Sequence, residues 1–109
     1  MTYTYLASPY THQDPAIMDM RNKLAMAAAA RLLKDGVHVY SPIVHCHELA
    51  SRHDLPRDVG FWWSYNRAML RHASNMVVLR IDGWDKSRGV AQEIAFAEHG
   101  GIPVSFIDG

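Results

Sequence analysis

The sequence predicts an α/β fold, in which a parallel sheet of four or five strands has helices on both faces. Segments with strand patterns alternate with helical segments along the chain, and this order places helical crossovers between parallel strands. The run Met76-Val77-Val78-Leu79 is continuously apolar, as is typical of a parallel strand buried on both faces. The segment 24–33 is rich in alanine and has a very high helix propensity.

The first strand and the first helix have clear boundaries in the sequence. Residues 2–7 are rich in β-branched and aromatic side chains, which predicts a strand, and Pro9 follows its end. Asp14 is suited to cap a helix and Pro15 to occupy its first position. These signals predict a helix over residues 16–34.

The remaining elements follow at shorter intervals. Residues 37–40 predict a short second strand, which Pro42 ends. The segment 43–60 contains several histidines and a further proline, and we expect it to be irregular. The patterns after it predict two more helices and two more strands: a helix over 61–73, a strand over 75–81, a helix over 87–99 and a strand over 102–107.

Length, charge and cysteine content limit the functional classes. The 109 residues suit one domain over 1–109, and 49% of them are hydrophobic, which is enough for a core. The net charge is zero without a basic cluster, which argues against a nucleic-acid partner. The single cysteine, Cys46, suits a reducing compartment. We see neither a signal peptide nor an apolar run that could span a membrane, and therefore expect a soluble cytoplasmic domain.

The segment 83–93 carries the strongest functional signal. It follows the apolar strand and contains a glycine-bearing turn, the potential helix cap Ser87 and a helical pattern. In open parallel sheets, ligands bind beyond the carboxyl ends of the strands, where helix N-termini attract anions. Glu93 shares a helix face with Val90 and Ala97, beside the apolar stripe. It belongs to no capping box, because Val90 stands where a serine or threonine would be needed. A functional role for Glu93 is therefore favoured.

Three predicted strand ends meet at one rim of the sheet. Ser8 and Tyr10 follow the first strand, Ser41 and His45 follow the second, and Asp85 follows the third. Small hydroxyl side chains beside a glycine-bearing helix start suit a phosphate or a sugar.

Three polar residues near this rim have both a structural and a ligand-binding interpretation. Ser87 can cap the helix and also touch a ligand. Arg88, next to the helix start, is either a phosphate partner or a solvated first-turn residue. Asn66 falls beside the apolar stripe of its helix, and its amide needs partners, either neighbouring backbone or a ligand.

The histidines His45, His47 and His53 offer a metal-binding alternative. Their spacing does not resemble the paired cysteines of structural zinc sites, and only one cysteine is present. Histidines in a loop are more often surface residues, so we expect no metal and no cofactor.

Four motifs occur in combination: residues 5–10; Ser41-Pro42-Ile43 with His45 and His47; residues 62–66; and residues 83–90 with Glu93. Together they resemble a small uncharacterised family of bacteria and phages (DUF1937-like) within the nucleoside 2-deoxyribosyltransferase-like superfamily, and this resemblance covers nearly the whole chain.

This resemblance implies a flavodoxin-like (Rossmann-like) three-layer fold and action on the N-glycosidic bond of nucleosides or nucleoside monophosphates. It implies that Glu93 is the catalytic nucleophile, that Tyr5 hydrogen-bonds near it, and that the helix start holds the 5′ end of the substrate. The superfamily usually carries an aspartate where Asn66 falls, which engages the nucleobase. The expected substrate-binding residues are Ser8, Tyr10, His45, Asn66, Asp85, Ser87, Arg88 and Gly89.

The leading expectation is an N-glycosidase or deoxyribosyltransferase that acts on a nucleoside or nucleoside 5′-monophosphate. The alternative is a non-catalytic nucleotide- or phosphosugar-binding module on the same fold. We also expect a homo-oligomer, a dimer or a tetramer, because the resembled superfamily completes its sites with a neighbouring subunit. Trp62, Trp63 and Trp84 exceed the needs of so small a core and are typical of interfaces.

Overall fold

The computed structural model describes residues 2–56 and 58–109 of the chain. Over these residues it contains a four-stranded, all-parallel sheet in the order β2-β1-β3-β4. The predicted α/β class is confirmed, and the architecture is a flavodoxin-like three-layer fold. The strands are β1 (Thr4–Ala7), β2 (Val39–Tyr40), β3 (Asn75–Arg80) and β4 (Val104–Asp108).

Among the described residues, four α-helices connect or flank these strands, and a short 3₁₀ turn, Trp84–Lys86, precedes the last of them. Each helix follows a side chain that accepts a hydrogen bond from a backbone amide of the first turn, as an N-cap does. No helix among the described residues is long and apolar enough to cross a membrane. The helices are α1 (Pro15–Lys34), α2 (Pro42–Arg52), α3 (Val59–Leu70) and α4 (Arg88–His99), and their caps are Asp14, Ser41, Asp58 and Ser87.

Helix α2 corrects the expectation of an irregular segment over 43–60. Pro42 does follow the second strand, but it occupies the first turn of a new helix, and Ser41 Oγ accepts the amide of Val44 at 3.2 Å. A Ser-Pro pair therefore marks a helix start here, because proline lacks only an amide that would stay unpaired at that position. The helix buries Cys46 and Ala50 on one face, four residues apart.

Helices pack on both faces of the sheet because alternate strand residues point to opposite sides. On one face, Leu6 and Leu79 pack with Ala28 of α1. On the other, Tyr5 packs with residues of α3 and α4, including Val90. This alternation places Tyr5 beneath α4.

Strand order determines where a ligand can enter. From β1 the chain crosses to β2 at one edge and then returns to β3 on the other side of β1. In this arrangement the crossovers leave β1 and β3 in opposite directions, so a crevice opens beyond their carboxyl ends. The three strands whose ends carry the predicted rim residues are consecutive in the sheet, in the order β2-β1-β3.

Candidate functional site

A cavity of about 1100 Å³ lies beyond the carboxyl ends of the strands. The loop after β1, helix α2, the first half of α3 and the start of α4 form its walls. Six of the residues predicted for the site line it: Tyr10, Asn66, Ser87, Arg88, Gly89 and Glu93.

Glu93 lies at the inner wall of this cavity and is only 5% exposed. Its helix turns it inward together with Val90 and Ala97, which are also buried, as the shared face predicted. Burial raises the pKa of Glu93 to about 7, against the hydrogen bond from Tyr5, which lowers it. Desolvation therefore outweighs the hydrogen bond from Tyr5. Near neutral pH, Glu93 is therefore present in both protonation states.

Tyr5 is the hydrogen-bond partner of Glu93, and its hydroxyl donates to Oε2 of the carboxyl group. Its side chain is fully buried, and its ring lies 6.0 Å from that of Tyr40. Burial, followed by the charge of Glu93, raises the pKa of Tyr5 well above its ordinary value. Tyr5 therefore stays protonated at physiological pH and can donate to Glu93 beneath the cavity wall.

The start of α4 gives the cavity an electropositive side. Ser87 caps the helix by accepting the amide of Val90 at 3.2 Å. Lys86 and Arg88 line the cavity on either side of this cap. The helix N-terminus adds the partial positive charge of its unpaired amides, so this side suits an anion.

Arg21, which the sequence patterns did not single out, also lines the cavity. Its Nη1 donates to the carbonyl oxygens of Tyr10 at 3.4 Å and Thr11 at 3.1 Å, so α1 holds the loop that follows β1. Its Nη2 lies close to Gly83, where an added Cβ would be 2.6 Å away. Arg21 thus holds the loop after β1 by hydrogen bonds and lies next to the turn after β3. A helical arginine gives no sequence signal for such a contact.

A chain of polar contacts runs from the cavity to α1. Tyr10 Oη and His47 Nδ1 are 2.7 Å apart, and both residues line the cavity. On the other side of the imidazole, Nε2 is 3.4 Å from Oδ1 of Asp19. His47 is 8% exposed, so α2 holds it inside the structure.

Asn66 contributes an unpaired acceptor to the cavity wall. Its Oδ1 is buried and has no hydrogen-bond partner among the described residues. A buried amide oxygen without a partner costs stability, so a ligand donor at this point would compensate for it.

Three of the predicted binding residues do not belong to the described lining of the cavity. Ser8 is buried, and its Oγ is without a hydrogen-bond partner among the described residues. His45 is exposed and stacks on Tyr65, with ring centroids 6.3 Å apart and planes 4° apart. Asp85 is exposed on the 3₁₀ turn.

The histidines considered for metal binding are held apart. His45 and His47 are two residues apart on α2 and point to different partners, Tyr65 and Tyr10, and His53 follows the end of the helix. Over residues 2–56 and 58–109, no group of three or more histidine, cysteine or acidic side chains is placed to hold a metal ion.

The comparison with protein families gives one match across most of the chain. A family model described as a domain of unknown function, DUF1937, matches residues 2–108. Comparison with curated proteins gives no match. Because the family model spans nearly the whole chain, the protein belongs to the DUF1937 family of uncharacterised domains.

Proposed function

We propose that this protein belongs to the nucleoside 2-deoxyribosyltransferase-like superfamily and cleaves the N-glycosidic bond of a nucleoside or nucleoside 5′-monophosphate. The observation that carries the proposal is the pair formed by Glu93 and Tyr5: a buried carboxyl at the wall of a cavity, with a phenol donating to one of its oxygens. We expect the protein to act in the cytoplasm, the reducing compartment that its single cysteine suits.

The chemistry requires a carboxylate next to the anomeric carbon. As the C1′–N bond breaks, positive charge develops on the sugar, which a carboxylate stabilises before it bonds to C1′. Tyr5 supports this role, because its hydrogen bond favours the ionised form of Glu93. Water or a second nucleobase then attacks C1′ and releases Glu93, which gives hydrolysis or transfer respectively.

Other residues of the cavity suit the 5′-phosphate and the nucleobase, the two ends of such a substrate. The helix start with Lys86 and Arg88 suits a 5′-phosphate. Asn66 offers its unpaired Oδ1 to a donor on the nucleobase. A volume of about 1100 Å³ is larger than a nucleotide needs, which leaves space for water or a second base.

The alternative is a nucleotide- or phosphosugar-binding module without catalysis. The pKa of about 7 favours it, because a protonated Glu93 can donate a hydrogen bond to a ligand but cannot attack C1′. The same cavity residues would then bind without chemistry.

The experiment is a panel of nucleosides and their 5′-monophosphates, with ribose and deoxyribose, incubated with the purified protein at pH 6 to 9. Free base is measured by chromatography, and ligand binding by thermal shift. Base release by the wild type and its loss in Glu93→Gln would support the enzyme. Thermal stabilisation without base release would support the binding module, because a ligand that binds only the folded state raises apparent stability. If the protein shows neither base release nor thermal stabilisation with any ligand of the panel, both functions are contradicted.

A further inference from the structure

We propose that Tyr10, His47 and Asp19 form a proton relay that protonates the leaving nucleobase, with Tyr10 as the catalytic acid and His47 and Asp19 as positioning residues behind it. This inference rests on the proposed function. It assigns a role to a contact chain that the nucleophile mechanism leaves unused.

The cleavage needs an acid because a nucleobase leaves poorly as an anion. Glu93 is occupied as the nucleophile, and the amide of Asn66 cannot release a proton at neutral pH. A chain with asparagine in that place needs another donor.

Among the described titratable groups that line the cavity, Tyr10 and His47 are in direct hydrogen-bond contact with each other. Their 2.7 Å contact joins a cavity-lining hydroxyl to an imidazole that is 8% exposed. By contrast, Asp58 is exposed and caps α3 through the amide of Phe61. His12 is exposed, and its Nδ1 accepts the backbone amide of Asp14.

Asp19 makes the relay directional. With Nε2 of His47 3.4 Å from Asp19 Oδ1, a protonated imidazole directs one N–H to the carboxylate and the other to Tyr10 Oη. The pKa of Asp19 is lowered, mainly by Lys23 and to a lesser extent by His47, so the carboxylate stays ionised. Histidine is the side chain that most readily changes charge near neutral pH, which suits it to pass a proton.

Charged groups surround His47 both outside the cavity and within it. The groups that surround it outside the cavity are Asp19, Lys23, Glu48 and Arg52, and those that share the cavity with it include Arg21, Arg88 and Glu93.

The proton balance closes over one catalytic cycle. In the first step, Glu93 bonds to C1′, the C1′–N bond breaks and its electron pair stays on the base nitrogen. That nitrogen takes the proton of Tyr10, and Tyr10 takes the Nδ1 proton of the imidazolium. In the hydrolytic second step, water bonds to C1′, the ester bond to Glu93 breaks, and the proton of water returns through Tyr10 to His47.

The test compares two leaving groups on the same sugar. One substrate is the nucleotide that releases base in the panel, and the other is the matching 4-nitrophenyl glycoside, whose leaving group needs no proton. We expect Tyr10→Phe and His47→Asn to lower kcat on the nucleotide about 100-fold, as expected for a lost general acid, and to change the aryl glycoside less than about 3-fold. His72→Asn, an exposed histidine at the end of α3, is the matched control and should change neither.

Asp19→Asn provides a variant whose folding is not in question, because the side chain of Asp19 is 52% exposed. It should lower kcat on the nucleotide about 10-fold, with recovery in Asp19→Glu, and change the aryl glycoside less than about 3-fold.

The outcomes separate the relay from the proposed function. If the variants slow both substrates equally, or slow neither, the relay is wrong, but the proposed role of Glu93 as the nucleophile is not affected. If no nucleoside or nucleotide in the panel releases base, the proposed function is overturned and the relay with it, even if the aryl glycoside is cleaved.

Discussion

Tyr5 on β1 and Glu93 on α4 are 88 residues apart in the chain, and the hydroxyl of the first donates to Oε2 of the second inside the protein. The pair forms because β1 is a central strand and α4 packs over its face. Burial acts against the charge of Glu93, while the phenol acts in its favour. The result is a carboxyl group that changes protonation near pH 7.

This balance predicts that Glu93 costs stability as the pH rises. A carboxyl whose pKa is higher in the folded state stabilises the fold fully at low pH, and this contribution is lost between its ordinary value of 4.5 and about 7. The loss amounts to about 3 kcal/mol at about 1.4 kcal/mol per pH unit. Glu93→Gln lacks this titration, so its stability relative to the wild type should rise by up to that amount from pH 4 to pH 8. Chemical denaturation at several pH values measures it.

The control for this prediction is Glu98→Gln, which removes an exposed carboxyl from the same helix. The rise in relative stability from pH 4 to pH 8 should be larger in Glu93→Gln than in this control. If Glu93→Gln instead loses stability at pH 8 and keeps its activity, Glu93 is a structural residue. If Glu93 is the nucleophile, the Glu93→Gln variant should release base several orders of magnitude more slowly than the wild type, because an amide neither bonds to C1′ nor balances the charge that develops there.

The pH profile of base release provides a second prediction. A nucleophile must be ionised, so the rate should rise with pH through about 7 in the wild type. Tyr5→Phe removes the hydrogen bond that lowers the pKa of Glu93, so this rising limb should move to higher pH. The rate at pH 7 should fall about 10- to 100-fold, as the loss of one positioned hydrogen bond implies, and the deficit should shrink at pH 9. A deficit that is constant across pH would contradict this account.

Local signals were sufficient for most of the fold. The cap Asp14 with Pro15, the apolar run in β3 and the cap Ser87 all mark elements where the structure has them. The sequence does not predict helix α2, because a proline after a strand pattern indicates the end of the strand, although Ser41-Pro42 also starts a helix here. Whether a proline marks the end of a strand or the start of a helix is decided by the pattern of the residues that follow it.

Less of the site than of the fold can be predicted from the sequence, because the contacts in the site join segments that are far apart in the chain. The inward face of Glu93 follows from helical spacing, but its high pKa depends on burial by neighbouring elements. His47 shows the same limit. In the sequence it is one of several histidines, and only the packing of α2 brings it to Tyr10 and Asp19.

A third prediction concerns the anionic end of the ligand. Arg88 lines the cavity at the start of α4, so Arg88→Ala should weaken binding of a 5′-monophosphate about 10-fold, a loss of about 1.4 kcal/mol. Binding of the unphosphorylated nucleoside should not change. Arg71→Ala, which removes an exposed arginine at the end of α3, is the control. Equal affinity of the wild type for nucleoside and monophosphate in calorimetry would show that this side of the cavity binds no phosphate.

A fourth prediction is that the protein forms a homo-oligomer. Trp63 and Trp84 pack within the chain against Phe96 and Phe106, but Phe61 at the start of α3 is 47% exposed. Exposed aromatic residues are typical of interfaces. Light scattering at micromolar concentration should give at least twice the mass of one chain, and Phe61→Ser should lower it. A monomeric wild type would contradict the prediction.

The last prediction tests whether Arg21 holds the rim of the cavity together. Gly83 has a φ of +89°, and a Cβ there would lie 2.6 Å from Arg21 Nη2. Gly36 has a similar φ of +85° but no atom within 4 Å of such a Cβ, so Gly36→Ala is a matched control for backbone strain. Both alanine variants should lose about 1–2 kcal/mol of stability from the left-handed conformation.

Only Gly83→Ala should also displace Arg21, and with it the loop carbonyls that this side chain holds. We therefore expect Gly83→Ala to weaken ligand binding and base release several-fold, while Gly36→Ala keeps both at the wild-type level. Measurements at a temperature where both variants are fully folded exclude an effect of stability alone. Equal binding by the two variants would mean that Arg21 moves aside without consequence, and that the loop after β1 keeps its position without it.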